Sequence, residues 1–421
     1  MESLVIGLLM LFAFAVPWEY SLDLGEPFGN VARILGVLLL LAAIPVAMSR
    51  GRIRRLGPVQ WLALLFYLYF ACSYFWTVDG ETTFEKMRAY VQVMMVVWLS
   101  WEFANLPRHL FGLLFAFVSG CWVLVLLTLL NFTSMSATSG QLSSEISGQI
   151  RFVAGGQDPN DVARFLDLGF PMASLLFAVA KRWPIRLLAV GYLPAGLLAV
   201  LLTASRGGFS GALLALAGSA ALLLMWRTGA AMWILAGLGG ILGGLWLLVP
   251  SETLARLSTI PEQLQGGDWN DRFEIWDAGW HAFIRSPWWG YGAGTYTTAS
   301  GLATGDTAHN TAMALLVTGG VTGAAIFSAI LAGVARSVFR TRGLLRVALG
   351  VTLVVWLITS MVGSVEENRA TWLIFGIMAL SGRLETEQRA GMEELFSGQM
   401  DTEWRARDPA KTQPGENLRV S

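Results

Sequence analysis

Apolar runs of about 18 to 22 residues, separated by short polar connections, recur along most of the chain; as helices rising about 1.5 Å per residue, each can cross a hydrocarbon core of roughly 30 Å. They predict spans near residues 4–18, 30–48, 59–76, 87–104, 110–131, 163–180, 185–203, 208–226, 231–249, 308–334, 345–363 and 369–383. The expected fold is therefore an all-α integral membrane protein of about twelve transmembrane helices, since closed helices satisfy their own backbone polar groups in lipid. An even number of crossings puts both termini on one side. The first run lacks an Ala-x-Ala-like cleavage site and continues into Trp18-Glu19-Tyr20, as a retained helix does.

The polar connections set the orientation, because Lys and Arg resist translocation while acidic residues contribute little. Arg50/Arg52/Arg54/Arg55, Arg108, Lys181/Arg182/Arg186, Arg227 and Arg336/Arg340/Arg342/Arg346 fall in alternate connections and are assigned to the cytoplasm. The intervening loops are acidic or mixed, and two of them are long, 132–162 and 250–307, both on the outer side. Residues 1–384 then form one polytopic membrane domain. Residues 385–421, polar and lacking a sustained apolar period, read as a flexible cytoplasmic tail.

Composition agrees: 55% of the 421 residues are hydrophobic and 14% charged, with a mean hydropathy of +0.57, too apolar for a soluble domain of this size. The spans read as nearly free of buried charge. A net charge of +0 argues against nucleic-acid binding. Cys72 and Cys121 both lie in expected spans and imply neither a disulfide framework nor a metal site.

Topology explains the cytoplasmic arginines but not Arg151, Arg164, Arg206, Arg256, Arg272, Arg285 and Arg369, which fall outside. Snorkelling or pairing with nearby acids is the ordinary account of each. Arg206 stands apart, because Ser205-Arg206-Gly207-Gly208 joins two spans by a turn of a few residues. Gly207 and Gly208 permit close backbone approach, and a guanidinium beside a helix N-terminus is an anion site, with phosphate its usual guest.

His309 is the histidine, of three, that joins an outer loop to a span. At 100° per residue Gly320 and Gly323 share its helical face, so a neighbouring helix is expected to pack beneath the imidazole. Residues 271–285 read as a helix lying in the membrane interface, with Phe273, Trp276, Trp280, Phe283 and Ile284 on one face. The glycines of Tyr291-Gly292-Ala293-Gly294 read as turn formers. Before the span at 163, Asn160 or Asp161 is a plausible N-cap, and Asp158 or Asp161 could orient an outer arginine.

Together, Asp158-Pro159-Asn160-Asp161, Ser205-Arg206-Gly207-Gly208, Arg272…Trp276…Pro287…Gly290-Tyr291-Gly292-Ala293-Gly294 and His309-Asn310 followed by Gly320-x-x-Gly323 resemble the O-antigen ligase and polymerase family of bacterial envelope glycosyltransferases. The resemblance covers about residues 150–335, and Thr311-Ala312 stand where many members have Tyr or Ser. It implies a GT-C-like membrane fold in the bacterial inner membrane, with its active site on the periplasmic side. It further implies a metal-independent, cofactor-free inverting transfer of a glycan from undecaprenyl diphosphate to an acceptor hydroxyl. His309 would be the catalytic base. Arg206 and Arg272, with Arg151 and Arg369 as further candidates, would bind the diphosphate, supported by Asn310, Asp158, Asp161, Gly207 and Gly208. The His-Asn spacing favours a ligase, whose acceptor is lipid A-core, over a polymerase, whose acceptor is another lipid-linked repeat unit. A transporter or flippase of lipid-linked oligosaccharide is the non-enzymatic alternative.

Overall fold

The computed structural model describes residues 1–22, 24–25, 29–137, 151–264, 272–303 and 306–407. Every regular element among them is helical: α1 (Glu2–Ala15, prolonged by a 3-10 turn over Val16–Ser21), α2 (Val31–Ser49), α3 (Pro58–Cys72), α4 (Gly80–Phe103), α5 (Pro107–Ala137), α6 (Pro159–Val179), α7 (Trp183–Leu202), α8 (Arg206–Trp226), α9 (Thr228–Trp246), α10 (Ser251–Ser258), α11 (Ile260–Leu264), α12 (Arg272–Arg285), α13 (Tyr296–Ser300), α14 (Thr311–Arg340), α15 (Gly343–Ser360) and α16 (Arg369–Arg407).

Among the described residues nine helices are long and apolar enough to cross a membrane: α1 with its 3-10 extension, α2, α3, α5, α6, α7, α8, α14 and α15. The chain is a multi-pass α-helical membrane protein. The three other expected spans fall on α4, α9 and α16. Of these, α4 carries Glu81, Glu85, Lys86 and Arg88 in its first turns, and α9 is apolar over Met232–Ile241. The last helix does not stop where a flexible tail was expected but continues to Arg407. Pairs one turn apart, Arg389 with Glu385 and Arg383 with Glu387, support the continuation, and Arg54 reaches Glu387 at 2.8 Å. Residues 408–421 of that tail lie outside the described residues.

The most enclosed helix is α6, which packs on α5, α7, α8 and α15 and buries Phe165, Leu166, Phe170 and Leu175. Its approach to α8 is close because two glycines face it. A Cβ on Gly208 would overlap the Ala163 methyl, and one on Gly211 would overlap the Asp167 carboxylate. On the other side of the bundle, Phe66, Phe327, Trp356, Trp372 and Phe375 stack into one aromatic cluster joining α3, α14, α15 and α16.

The expectation of spans nearly free of buried charge is corrected by the structure. Glu19, Glu102, Arg164, Asp167 and Arg383 are all buried. They face the bundle interior, where partners replace water for all but Asp167, whose carboxylate oxygens have no hydrogen-bond partner among the described residues. Arg164 reaches Asp161 at 2.8 Å, Glu102 accepts from the Arg54 backbone N–H at 2.8 Å, and Arg383 donates to the carbonyls of Trp101 and Ala104 at 2.6 and 2.5 Å. Hydropathy averages over a window and does not register a single inward charge.

A second correction concerns α14. The expected packing face through His309, Gly320 and Gly323 presumes one unbroken helix, but Gly320 has φ +62° and interrupts it. The backbone groups released there are taken up by the segment after α12. Tyr291 and Gly292 donate to the carbonyls of Val317 and Thr318, while Val321 and Thr322 donate to those of Pro287 and Trp288. A Cβ on Gly320 would run into the Trp288 carbonyl. Gly319 and Gly323 pack against Phe70 and Tyr69 of α3, not beneath the imidazole.

Candidate active site

Three helices begin at one place, each with a capping side chain. Asp158 accepts from the N–H groups of Asn160 and Asp161 to start α6, Ser205 accepts from Gly208 to start α8, and Asn310 accepts from Met313 to start α14. With the first residue of α12, Arg272, these ends surround a cavity of about 440 Å³. Its polar lining is Arg151, Arg206, Arg256, Arg272, Asn160, Asn310 and Ser210. Its apolar lining comes from Trp276 of α12, Ile260 of α11, and Ile358, Met361 and Val362 at the end of α15.

Local geometry holds this arrangement under strain at two points. Ala204 and His309, each immediately before a capping residue, have φ of +50° and +44°, a left-handed conformation that costs a non-glycine residue about 1–3 kcal/mol. Surrounding bonds enforce it. The Ser205 hydroxyl donates to Asn160 Oδ1 at 2.7 Å, and Asn310 Nδ2 donates to the Met361 carbonyl at 3.3 Å. The Trp276 indole donates to the Ala308 carbonyl at 2.8 Å.

Electrostatically the cavity is a concentration of positive charge. Arg151 donates to the Thr203 carbonyl at 3.1 Å and to Asn160 Oδ1 at 3.4 Å, and Arg206 donates to the Thr259 hydroxyl at 3.2 Å. Among the described residues no carboxylate forms an ion pair with Arg151, Arg256 or Arg272. Burial, and then repulsion from Arg256, Arg206 and Arg272, lowers Arg151 to about 10. Burial and Arg206 lower Arg256 as well, and burial lowers Arg272 against the attraction of Asp158. Like charges held together in partial burial favour any anion that enters, and the positive ends of α6, α8, α12 and α14 add to that preference.

His309 adjoins the cavity through Asn310. Burial, and then the charge of Arg272, holds the imidazole below its usual value, with Asp158, Asp161 and Asp306 opposing. The neutral imidazole, able to accept a proton, is thereby favoured.

The expected residues divide as follows. Arg151, Arg206, Arg272, Gly207 and Asn310 line the cavity, and Asp158 caps the helix beside it. Asp161 pairs with Arg164, so the acid that orients an outer arginine acts on one outside the lining. Gly207 and Gly208 serve helix packing: a Cβ on Gly207 would press on Val362. Arg369 is elsewhere, bonded to Glu19 and to Gln92. The helix at 271–285 is α12, Asp271 itself lying outside the described residues. Its expected single face divides. Trp276 and Phe283 pack inward with Ile275 and Ala282, while Phe273, Trp280 and Ile284 remain about half exposed, at 53%, 47% and 55%. Gly292 and Gly294, with φ of +105° and +75°, are the turn formers expected of them, and Gly290 joins them at +66°.

Among the lining residues, Arg256 and Asn160 were named in the sequence but given no place in the site. Arg256 sits on the short helix α10, whose Leu254 and Leu257 turn inward, a pattern that an amphipathic reading of 251–258 would have found. Asn160, read only as a cap, accepts from both Arg151 and Ser205 and so ties the outer segment before α6 to the start of α8.

Residues 191–328 match the family model described as O-antigen ligase, and this supports the O-antigen ligase/polymerase family for the chain. The matched stretch holds Arg206, Arg256, Arg272, His309 and Asn310, and leaves out Arg151 and Asn160. No curated protein matches the chain.

Proposed function

We propose that the chain is an inverting glycosyltransferase that moves a glycan from undecaprenyl diphosphate to an acceptor hydroxyl at the periplasmic face of the inner membrane, as an O-antigen ligase acting on lipid A-core. The carrying observation is the convergence of Arg151, Arg206, Arg256 and Arg272 with four helix N-termini on one cavity beside His309. In this reading the acceptor oxygen attacks the anomeric carbon from the face opposite the diphosphate. His309 takes the hydroxyl proton, the bond from the anomeric carbon to the diphosphate oxygen breaks, and the leaving diphosphate carries the electron pair. The arginines stabilise the charge that builds on it, each preorganised donor being worth about 10²- to 10³-fold in rate. Trp276 and the apolar end of α15 form a wall for the sugar and the first prenyl units. Arg50, Arg54 and Arg383 gather at the opposite end of the bundle, which fits twelve crossings with both termini in the cytoplasm.

The test is transfer in vitro from purified lipid-linked glycan to purified rough lipopolysaccharide. Modified lipopolysaccharide supports the ligase reading. A ladder of longer lipid-linked product with unmodified lipopolysaccharide replaces it by the polymerase reading, and donor crossing vesicles without transfer removes the enzymatic one.

A further inference from the structure

A second arginine-bearing cavity, of about 290 Å³, opens between α1, α2 and α4. At one end it presents Arg33 from the first turn of α2, Arg88 and Gln92 from α4, and Arg369, the first residue of α16. Beyond them the walls become wholly apolar, through Phe12, Val37, Leu40, Met95 and Leu99. Along the helices Leu40 lies ~10 Å from Arg33 and Leu99 ~16 Å from Arg88, so the groove is as deep as one leaflet, half of a ~30 Å core. Val37, 53% exposed, leaves its side open toward lipid.

Among the described residues the charge is not balanced from within. Arg369 is held by the buried Glu19, but among the described residues neither Arg33 nor Arg88 takes part in an ion pair. The groove is separate from the first cavity. Between them runs the segment 151–157, whose Arg151 lines the first cavity while its Ala154 and Gln157 bond to Ser21, two residues beyond Glu19.

We infer that this groove binds an acyl lipid with a phosphate-bearing headgroup, the phosphate on Arg33, Arg88 and Arg369 and a chain along Phe12, Leu40 and Leu99. Cations at the interface with an apolar slot one leaflet deep match that shape and charge, whereas a soluble anion would leave the slot wet and a neutral lipid would leave the arginines without a counter-charge. The inference stands apart from the transfer reaction.

The experiment is native mass spectrometry of the purified full chain with phosphatidylglycerol, phosphatidylcholine and inorganic phosphate as separate probes. Phosphatidylglycerol is expected to bind in preference to phosphatidylcholine. The Arg33→Gln/Arg88→Gln variant should weaken it roughly thirtyfold, from two cations near one phosphate. Gly36→Trp, which fills the slot beside Phe12 and keeps every arginine, should weaken it too. Equal binding of phosphatidylcholine, displacement by inorganic phosphate, unchanged binding in both variants, or loss of binding in Arg206→Gln instead would each overturn the inference.

Discussion

At one end of the bundle Arg50 reaches Glu2 at 2.8 Å and Glu102 at 3.2 Å, Arg54 reaches Glu387, and Arg383 donates to two backbone carbonyls. At the other end Arg151, Arg206, Arg256 and Arg272 face one cavity, where Arg151 donates to the Thr203 carbonyl, Arg206 donates to the Thr259 hydroxyl, and the charge of Asp158 acts on Arg151 and Arg272. The first group is met by carboxylates and backbone carbonyls where it stands and ties α2, α4 and α16 together. The second is kept in mutual repulsion by the surrounding fold, which is unfavourable without a ligand and favourable with an anion present. The same residue type thus serves cohesion at one end and, in the proposed function, recognition at the other, and the difference lies in the partners.

Breaking the comparison at its chemical centre should give the largest effect. His309→Ala is expected to lower transfer by about 10²- to 10⁴-fold with the protein still folded, read as initial rate per purified enzyme. Because burial and Arg272 hold His309 below its usual value, the wild-type rate should be level at neutral pH and fall only as the pH drops through that lowered value. Arg272→Gln should move this acid limb upward, since one of the depressing charges is gone; an unmoved limb would detach the imidazole from the profile.

Next in size, Arg256→Gln should slow transfer by about 10²-fold while leaving the unfolding temperature unchanged or raised, because it relieves repulsion from Arg206. Arg206→Lys, which keeps the charge but loses the planar two-pronged contact, should also slow transfer. At the paired end the outcome should invert. Arg383→Gln leaves buried carbonyls without their charged donor and should cost about 1–3 kcal/mol of stability, with turnover of the folded fraction unchanged. A rate loss there equal to that of Arg256→Gln would erase the contrast between the two ends.

The smallest effect is a pH dependence of stability. Glu366, buried between α15 and α16, is raised to about 8 by burial and by Glu367, whose carboxylate pairs with Lys86. A carboxyl raised in the folded state contributes stability that is complete below its unfolded value of about 4.5 and is lost as the pH rises to about 8. Glu366→Gln should therefore flatten thermal stability across that range, as followed by unfolding temperature against pH.

Much of the fold was legible because lipid imposes one demand on every span, and hydropathy reports it directly. Each expected span falls on a helix, and Arg206 was legible as a candidate lining residue because a short Ser-Arg-Gly-Gly turn between two spans is itself local. Arg256 and Asn160 were not legible as lining residues. Their roles depend on α10 folding back to α8 and on α6 starting beside Ser205, contacts between segments distant in sequence. The role given to Gly320 failed for a related reason, since helical-wheel arithmetic does not survive a residue with φ +62° whose broken bonds are repaired by another loop.

What the sequence determined by itself is the membrane-spanning helical class, the charge asymmetry between the ends, and the candidate residues for holding an anion and accepting a proton. Those properties follow from local composition and short spacing. Only the tertiary structure decided which outer arginines meet, that Arg369 joins Glu19 and a second groove, and that charges sit inside the bundle. Convergence of this kind is set by long-range packing, in which glycine-thin crossings and capped helix starts fix positions that no window of sequence contains.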